Sequence, residues 1–145
     1  MRLSTKGRYG LRLLLELARH YGGGPVTLKD VARSQEISEK YLWHLIPQLK
    51  SAGLISAARG SRGGYKLARH PVTITLLEIV TCLEGSVCLT ECCENSSGCK
   101  RSAGCACRDV WSEISAKMLE HFAQYDLEKI AARQKDKQER LSYAI

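Results

Sequence analysis

Seven cysteines, every one in this 145-residue chain, fall between Cys82 and Cys107. Cys93, Cys99 and Cys105 are evenly set, with five residues between neighbours. Gly98 and Gly104 allow a loop of that length to wrap around one centre. Thiolates suit zinc and iron–sulphur centres. The spacing is neither the two-residue separation of zinc knuckles nor a ferredoxin run. Cys107, Cys92 and Cys88 are further thiols. Cys88 and Cys92 have an alternative reading as redox-active surface thiols without metal, and Cys82 reads as a small apolar residue within a helix. Lys100, Arg101 and Arg108 surround the loop, and cations there lower thiol pKa values, which favours both ligation and reactivity. An inorganic centre and metal-free thiol sensing both remain open on these residues.

An odd thiol count rules out a complete intramolecular disulfide framework. Residues 1–81 hold no cysteine, whereas a small stapled protein would need some there. The N-terminus shows no signal-peptide pattern and no run approaches 18 apolar residues. The expected setting is a reducing cytoplasm without membrane contact.

The loop must be held by its flanks. Thr75-Leu76-Leu77-Glu78 forms a capping box that opens a short helix with Leu76, Ile79, Val80 and Leu83 inward, ended by Gly85. After the loop, Asp109 or a neighbour caps a longer helix whose Val110, Trp111, Ile114, Met118, Leu119 and Phe122 form a broad apolar face. That face is too large for a helix lying alone on a small domain, so it is expected to pack against the first-half helices and a second chain. A short helix over Asp126 to Arg133 follows. The charged tail from Gln134 is expected to be partly solvated, with Leu141, Tyr143 and Ile145 available to dock.

Charge divides the chain in two. Residues 1–70 carry 13 basic and 4 acidic side chains, against 9 and 11 in residues 71–145, and no acid lies between Tyr41 and Leu77. A basic first half points to a polyanion. Its pattern is specific: a stripe of Tyr9, Leu13, Leu14, Leu17 and Ala18 at helical spacing, a stop at Gly22-Gly23-Gly24-Pro25, and a capping box at Thr27 to Asp30. A second short helix carries Leu28, Val31 and Ala32, and Ser38 opens a third with Leu42, Leu45, Ile46 and Leu49 inward. Two short helices around Gln35-Glu36-Ile37-Ser38 make a helix-turn-helix. The reading helix offers Ser38, Glu39, Lys40, Trp43 and His44 outward, and Pro47 should bend it. Trp43 reads either as a core aromatic or as an apolar contact to a groove or a thymine methyl. The segment from Leu54 to Leu67 is a hairpin whose tip, Arg59-Gly60-Ser61-Arg62-Gly63-Gly64, forms a wing. Arg59 and Arg62 would meet phosphates or the minor groove.

These segments, namely Met1-Arg2-Leu3-Ser4-Thr5-Lys6-Gly7-Arg8-Tyr9-Gly10, Gly24-Pro25-Val26, Ile37-Ser38-Glu39-Lys40-Tyr41-Leu42, Gly53-Leu54-Ile55 and Arg59 to Tyr65, together resemble the IscR/CymR-type family of bacterial winged helix-turn-helix transcription regulators. The resemblance spans nearly the whole chain. It implies a dimeric regulator, and in several members an iron–sulphur cluster in the loop before the long helix. It implies ligand roles for Cys93, Cys99 and Cys105, with Trp111 at the start of the long helix. In IscR-type members a histidine three residues after the third cysteine is the fourth ligand. Here that position is Arg108, which does not ligate metals, and Cys107 is the neighbouring substitute. NsrR-type members use a carboxylate near the N-terminus, where this chain has Arg8. CymR-type members lack the triad and report cysteine supply through a partner enzyme. Ser38, Tyr41 and Arg59 are kept among the DNA-contact positions. Trp43-His44 replaces a glutamate–glutamine pair that takes part in DNA recognition in IscR, so a different operator is implied.

The expected fold is mainly α: a winged helix-turn-helix with a small two-stranded wing and a long C-terminal dimerisation helix. Residues 1–84 would form the DNA-binding domain, 85–108 the cluster loop, 109–133 the dimerisation helix with a short following helix, and 134–145 the tail. The expected function is a homodimeric transcription regulator, acting as a repressor on a pseudo-palindromic operator. It would sense cluster or redox status through Cys93, Cys99 and Cys105, with Cys107 a further cofactor contact and [2Fe-2S] favoured over [4Fe-4S]. The DNA contacts would be Ser38, Lys40, Tyr41, Trp43, His44, Arg59 and Arg62. Alternatives are a metal-free thiol- or partner-controlled repressor of cysteine and sulphur metabolism, and a small redox protein. No nucleophile–base–orienter set indicates an enzyme, and His20, His44, His70 and His121 are scattered.

Overall fold

Ser4, Thr27, Ser38 and Thr75 each take a backbone N–H three residues ahead and so fix where four helices begin. In the computed structural model, which describes residues 2–144, these helices are α1 (Thr5–Arg19), α2 (Leu28–Gln35), α3 (Glu39–Ser51) and α4 (Leu76–Glu84). Strands β1 (Ile55–Ala58) and β2 (Gly64–Leu67) pair antiparallel, Ile55 opposite Leu67 and Ala58 opposite Gly64. A short α5 (Glu91–Glu94), α6 (Ala106–Ala123) and α7 (Leu127–Tyr143) complete the chain. The mainly helical winged architecture with a two-stranded wing agrees with the expected fold.

One core joins the pieces. Leu13, Leu14 and Leu17 of α1, Val31 of α2, Leu42, Leu45 and Leu49 of α3, Ile79 and Leu83 of α4 and Leu127 of α7 are all but inaccessible. Each buried leucine contributes about 1.5–3 kcal/mol of hydrophobic stabilisation. Helix α1 lies so close to α4 that a Cβ at Gly10 would stand 2.3 Å from Leu83 Cδ1, so any larger residue there would force the fully buried Leu83 side chain to shift. The buried Glu16 carboxylate of α1 accepts from Ser34 Oγ at 3.0 Å and Gln35 Nε2 at 2.8 Å. Arg12 donates to both the side chain and the carbonyl of Gln35. Helix α1 thereby grips the last turn of α2, where Glu36 turns the chain in the left-handed region at φ 52°. That turn aims α3.

Three local features differ from expectation. Pro47, where a bend is expected, lies within the single span of helix α3. Leu45, Ile46 and Leu49 are buried around it, and that packing outweighs the missing N–H. The Thr75 box is half made: Glu78 pairs with Arg69 while its own N–H goes to Thr75 Oγ1 at 3.2 Å. Helix α6 begins at Ala106, ahead of Asp109, with Cys105 flanking it. Helix α7 does not stop at Arg133 but continues to Tyr143. Strong helix formers and a Lys135–Glu139 pair at i,i+4 carry it onward. Leu141 and Tyr143 remain exposed rather than docked. Ile145, like Met1, lies outside the described residues.

Candidate DNA-reading surface and cysteine loop

The outer face of α3 presents Lys40, Trp43 and His44 to solvent. Trp43 is 53% exposed, which settles it as a surface residue and not a core aromatic. Ser38 spends its hydroxyl capping α3, accepting from Tyr41 N–H at 3.4 Å. Tyr41 is half-buried, its ring edge-on to Tyr9 with centroids 5.4 Å apart. Arg8 and Arg12 lie over that same Tyr9 ring, 5.9 and 5.7 Å from its centre. The loop between β1 and β2 holds Arg59 and Arg62, both exposed. A reading helix beside an exposed pair of guanidinium groups is an arrangement that meets bases and phosphates together. The hairpin is not free-standing: Val26, just before α2, exchanges two backbone bonds of 2.8 Å with Tyr65.

The cysteine loop is built differently from the sequence expectation. Cys92 and Cys93 sit on α5, Cys99 follows one helical turn over Ser96–Gly98, Cys105 precedes α6, and the exposed Cys107 lies in its first turn. All seven cysteines are free. Among the described residues no three His, Cys, Asp or Glu side chains converge closely enough to hold a metal ion. Cys93, Cys99 and Cys105 are thus not brought together. The reason lies in what holds each one: Thr90 Oγ1 is 3.0 Å from Cys93 Sγ and 3.2 Å from Cys92 Sγ, while Cys99 and Cys105 belong to separate turns. Arg108, in the fourth-ligand position, donates from Nε to the Cys92 carbonyl at 2.8 Å. Three thiolates are chemically suited to an iron–sulphur centre, and in this arrangement they stand apart.

The arrangement suits thiol chemistry. The Cys93 pKa is lowered, first by a hydrogen bond from Ser112, then by Thr90, with smaller help from Cys92 and the Arg108 charge against an opposing cost of burial. Cys82 is its opposite: packed at the core edge, its pKa is raised by burial and then by Glu78, with Lys6 opposing. An open cleft of about 540 Å³ is lined by Cys92 and Cys99 with Glu91, Glu94, Asn95 and Gly98. Ser112 and Thr90 escaped sequence reasoning. Thr90 lies three residues before Cys93, a spacing that could have drawn notice, but nothing in the sequence ties Ser112 to a thiol 19 positions earlier.

The loop is also tied to its neighbours. Leu89 N–H donates to Ser115 Oγ at 3.2 Å, and Ser115 is the one buried residue of α6. Val110, Trp111 and Ile114 are each more than 40% exposed, leaving the predicted apolar face open along one side of that helix. His70 caps the turn at Pro71–Thr73 and meets Tyr21 edge-on, and His121 meets Tyr125 likewise.

A helix-turn-helix with a basic wing and a long helix bearing an exposed apolar stripe defines a DNA-binding transcription regulator of the winged-helix class, one that works as a dimer. Residues 3–133 match the family described as "Rrf2: Iron-dependent Transcriptional regulator", and the chain belongs to that family. It is 40% identical over 126 residues to the HTH-type transcriptional regulator CymR of Bacillus subtilis, covering 86% of this chain and 91% of that one. The solved structure of CymR, the global cysteine regulator of B. subtilis, aligns with TM-score 0.78 at 37% identity, over 92% of this chain and 98% of that one. The structure of T. potens IscR aligns with the same TM-score at 34% identity, over 95% and 91%. Membership makes the chain a regulator rather than an enzyme. No helix among the described residues is long and apolar enough to cross a membrane.

Proposed function

We propose that this protein is a cytoplasmic homodimeric repressor of sulphur-metabolism genes, controlled by the state of its cysteine loop or by a protein partner, as a metal-free thiol switch. The observation that carries the thiol reading is Cys93, whose lowered pKa arises from Ser112 and Thr90 within an α5–α6 joint closed by Arg108. A Cys93 thiolate attacks one oxygen of hydrogen peroxide: the S–O bond forms as the O–O bond breaks, the sulfur is oxidised to a sulfenic acid as the peroxide is reduced, and the released hydroxide takes a proton from solvent and leaves as water. The bulkier, polar group disrupts the contacts with Thr90 and Ser112 and shifts α5 against α6. Helix α6 carries the apolar face for the second chain, so its displacement changes the separation of the two reading helices. Reading helices of a dimer must meet half-sites about one helical turn, or a multiple of it, apart. Similarity to the global cysteine regulator of B. subtilis supports the sulphur-metabolism target. On DNA, Ser38, Lys40, Tyr41, Trp43 and His44 would address the major groove of a pseudo-palindromic site, with Arg59 and Arg62 beside it.

A second reading rests on the even spacing of Cys93, Cys99 and Cys105 and on the iron-dependent description of the family. There the loop refolds to gather the three thiols, with Cys107 near the fourth position, around a cluster of the [2Fe-2S] kind. One preparation separates the two. Protein purified without oxygen is assayed for iron and sulphide, and its affinity for a selected duplex is measured before and after peroxide. Affinity that changes with peroxide in iron-free protein supports the thiol switch. Stoichiometric iron and sulphide, with no response in iron-free protein, supports the cluster.

A further inference from the structure

Tyr65 stands where three DNA-facing parts meet. Its backbone is locked to Val26 by two bonds of 2.8 Å. The approach is so tight that a Cβ on the preceding Gly64 would lie 2.5 Å from the Val26 carbonyl oxygen. Val26 leads directly into α2, so Tyr65 is fixed to the scaffold of the helix-turn-helix and not to the wing tip. Its ring, in turn, meets Trp43 of α3 edge-on, with centroids 6.2 Å apart and planes at 84°. That is the favourable geometry for two aromatic quadrupoles. Trp43 is more than half exposed on the outward face of α3, and an indole has no charge to fix it there. Free to rotate about two side-chain torsions, it would present no defined surface to a base edge. Held by Tyr65, it presents one flat apolar face.

We propose that Tyr65 is a positioning residue that sets the Trp43 indole as a reader of an apolar base edge, the thymine methyl group in the major groove. The thymine C5-methyl is the one apolar feature that separates base pairs there. Arginines at the wing neutralise phosphates and add affinity without sequence, whereas the Tyr65–Trp43 pair adds preference. The inference rests on the DNA-reading role of α3 proposed above.

The test starts from selection of bound duplexes out of a randomised pool by the full-length dimer. The wild type should enrich a site with a thymine in each half. Trp43→Ala, which truncates a surface side chain and leaves the core intact, should lose the preference at that thymine. Tyr65→Leu should lose it too, with affinity for the selected duplex falling roughly fivefold or more and affinity for random duplex kept. Tyr65→Phe should restore both, because the ring and not the hydroxyl makes the contact. Protein labelled with 5-fluorotryptophan gives a direct readout. It carries two tryptophans, and Trp43→Phe assigns the Trp43 resonance. Tyr65→Leu should shift or narrow that resonance and spare the one from Trp111. Unchanged thymine preference in Trp43→Ala, or in a folded Tyr65→Leu, overturns the proposal. Failure of the wild type to enrich any duplex overturns the DNA-reading role itself.

Discussion

Gln48 and Cys82 bond each other in both directions. The Gln48 side-chain amide donates to the Cys82 carbonyl, and the Cys82 thiol donates to the Gln48 carbonyl across 3.7 Å. The first residue belongs to α3, the proposed reading helix, and the second to α4, which leads into the cysteine loop. On that proposal, a displacement of α4 would reach the reading helix through this pair. Gln48→Ala should lower stability by about 1 kcal/mol, the usual net value of one hydrogen bond, seen as a lower urea midpoint. It should also shrink the difference in duplex affinity between reduced and peroxide-treated protein. An undiminished difference in a folded variant would show that the signal travels by another route.

Glu84, the last residue of α4, clamps the start of α1. Its Oε1 accepts from the Ser4 N–H at 3.1 Å and from the Ser4 hydroxyl at 2.7 Å. A carboxylate beside a helix N-terminus is favourable for the helix dipole. Glu84→Ala should cost about 1–2 kcal/mol and Glu84→Gln less, since the amide oxygen still accepts but the charge is gone. Thermal melts of the three proteins in low and high salt check this ordering, and the Glu–Gln gap should narrow in high salt.

Much of this fold can be read from local sequence, and the exceptions have physical causes. Thr27 and Thr75 announce helix starts because capping involves only residues three apart, and both cap as expected. The span of α7 escapes because its second half buries nothing: an apolar stripe ends near Ile130, while helix propensity and charge pairs carry the helix to Tyr143. The cysteine spacing is legible too, but the fate of a thiol is not. Cys93 is bonded by Thr90 nearby and donates to the Arg108 carbonyl on another helix, a tertiary pairing without a local signal. Trp43 is ambiguous in the sequence for the same reason, since only the fold decides which face of α3 the first three helices cover.

Cys93 should react with iodoacetamide in a pH-dependent way set by its lowered pKa. An ordinary cysteine has a reference value of 9.0, and only the thiolate is nucleophilic. With the folded pKa below that value, Cys93 is more ionised than an ordinary thiol in the window beneath 9.0, and the excess vanishes above it. Ser112→Ala removes the largest cause and Thr90→Val the next, so each should move the labelling profile of Cys93 to higher pH. Cys82, shifted the other way, should label last of the two. Peptide-resolved mass spectrometry over a pH series measures both sites in one sample, and a profile unmoved by Ser112→Ala would remove Ser112 from the account.

The exposed stripe of α6 supplies the sharpest test of assembly. Val110 and Trp111 each lie about one turn before Ile114, on one side of the helix, at 50%, 42% and 45% exposure for the three in chain order. Side chains of this size, left to solvent on a helix of 18 residues, gain most by burial against a second copy. Because they contribute little to the core of their own chain, a charge placed among them should spare the fold and break the pair. Trp111→Asp should yield folded monomer at micromolar concentration. Central aromatic anchors of an interface typically carry about 2 kcal/mol or more each, and an added carboxylate must also be desolvated for the dimer to close. Sedimentation would show the change of mass while circular dichroism stays near that of the wild type. Affinity for a two-half-site duplex should then fall toward that for a single half-site. A Trp111→Asp protein that still sediments as a dimer would place the interface on another surface.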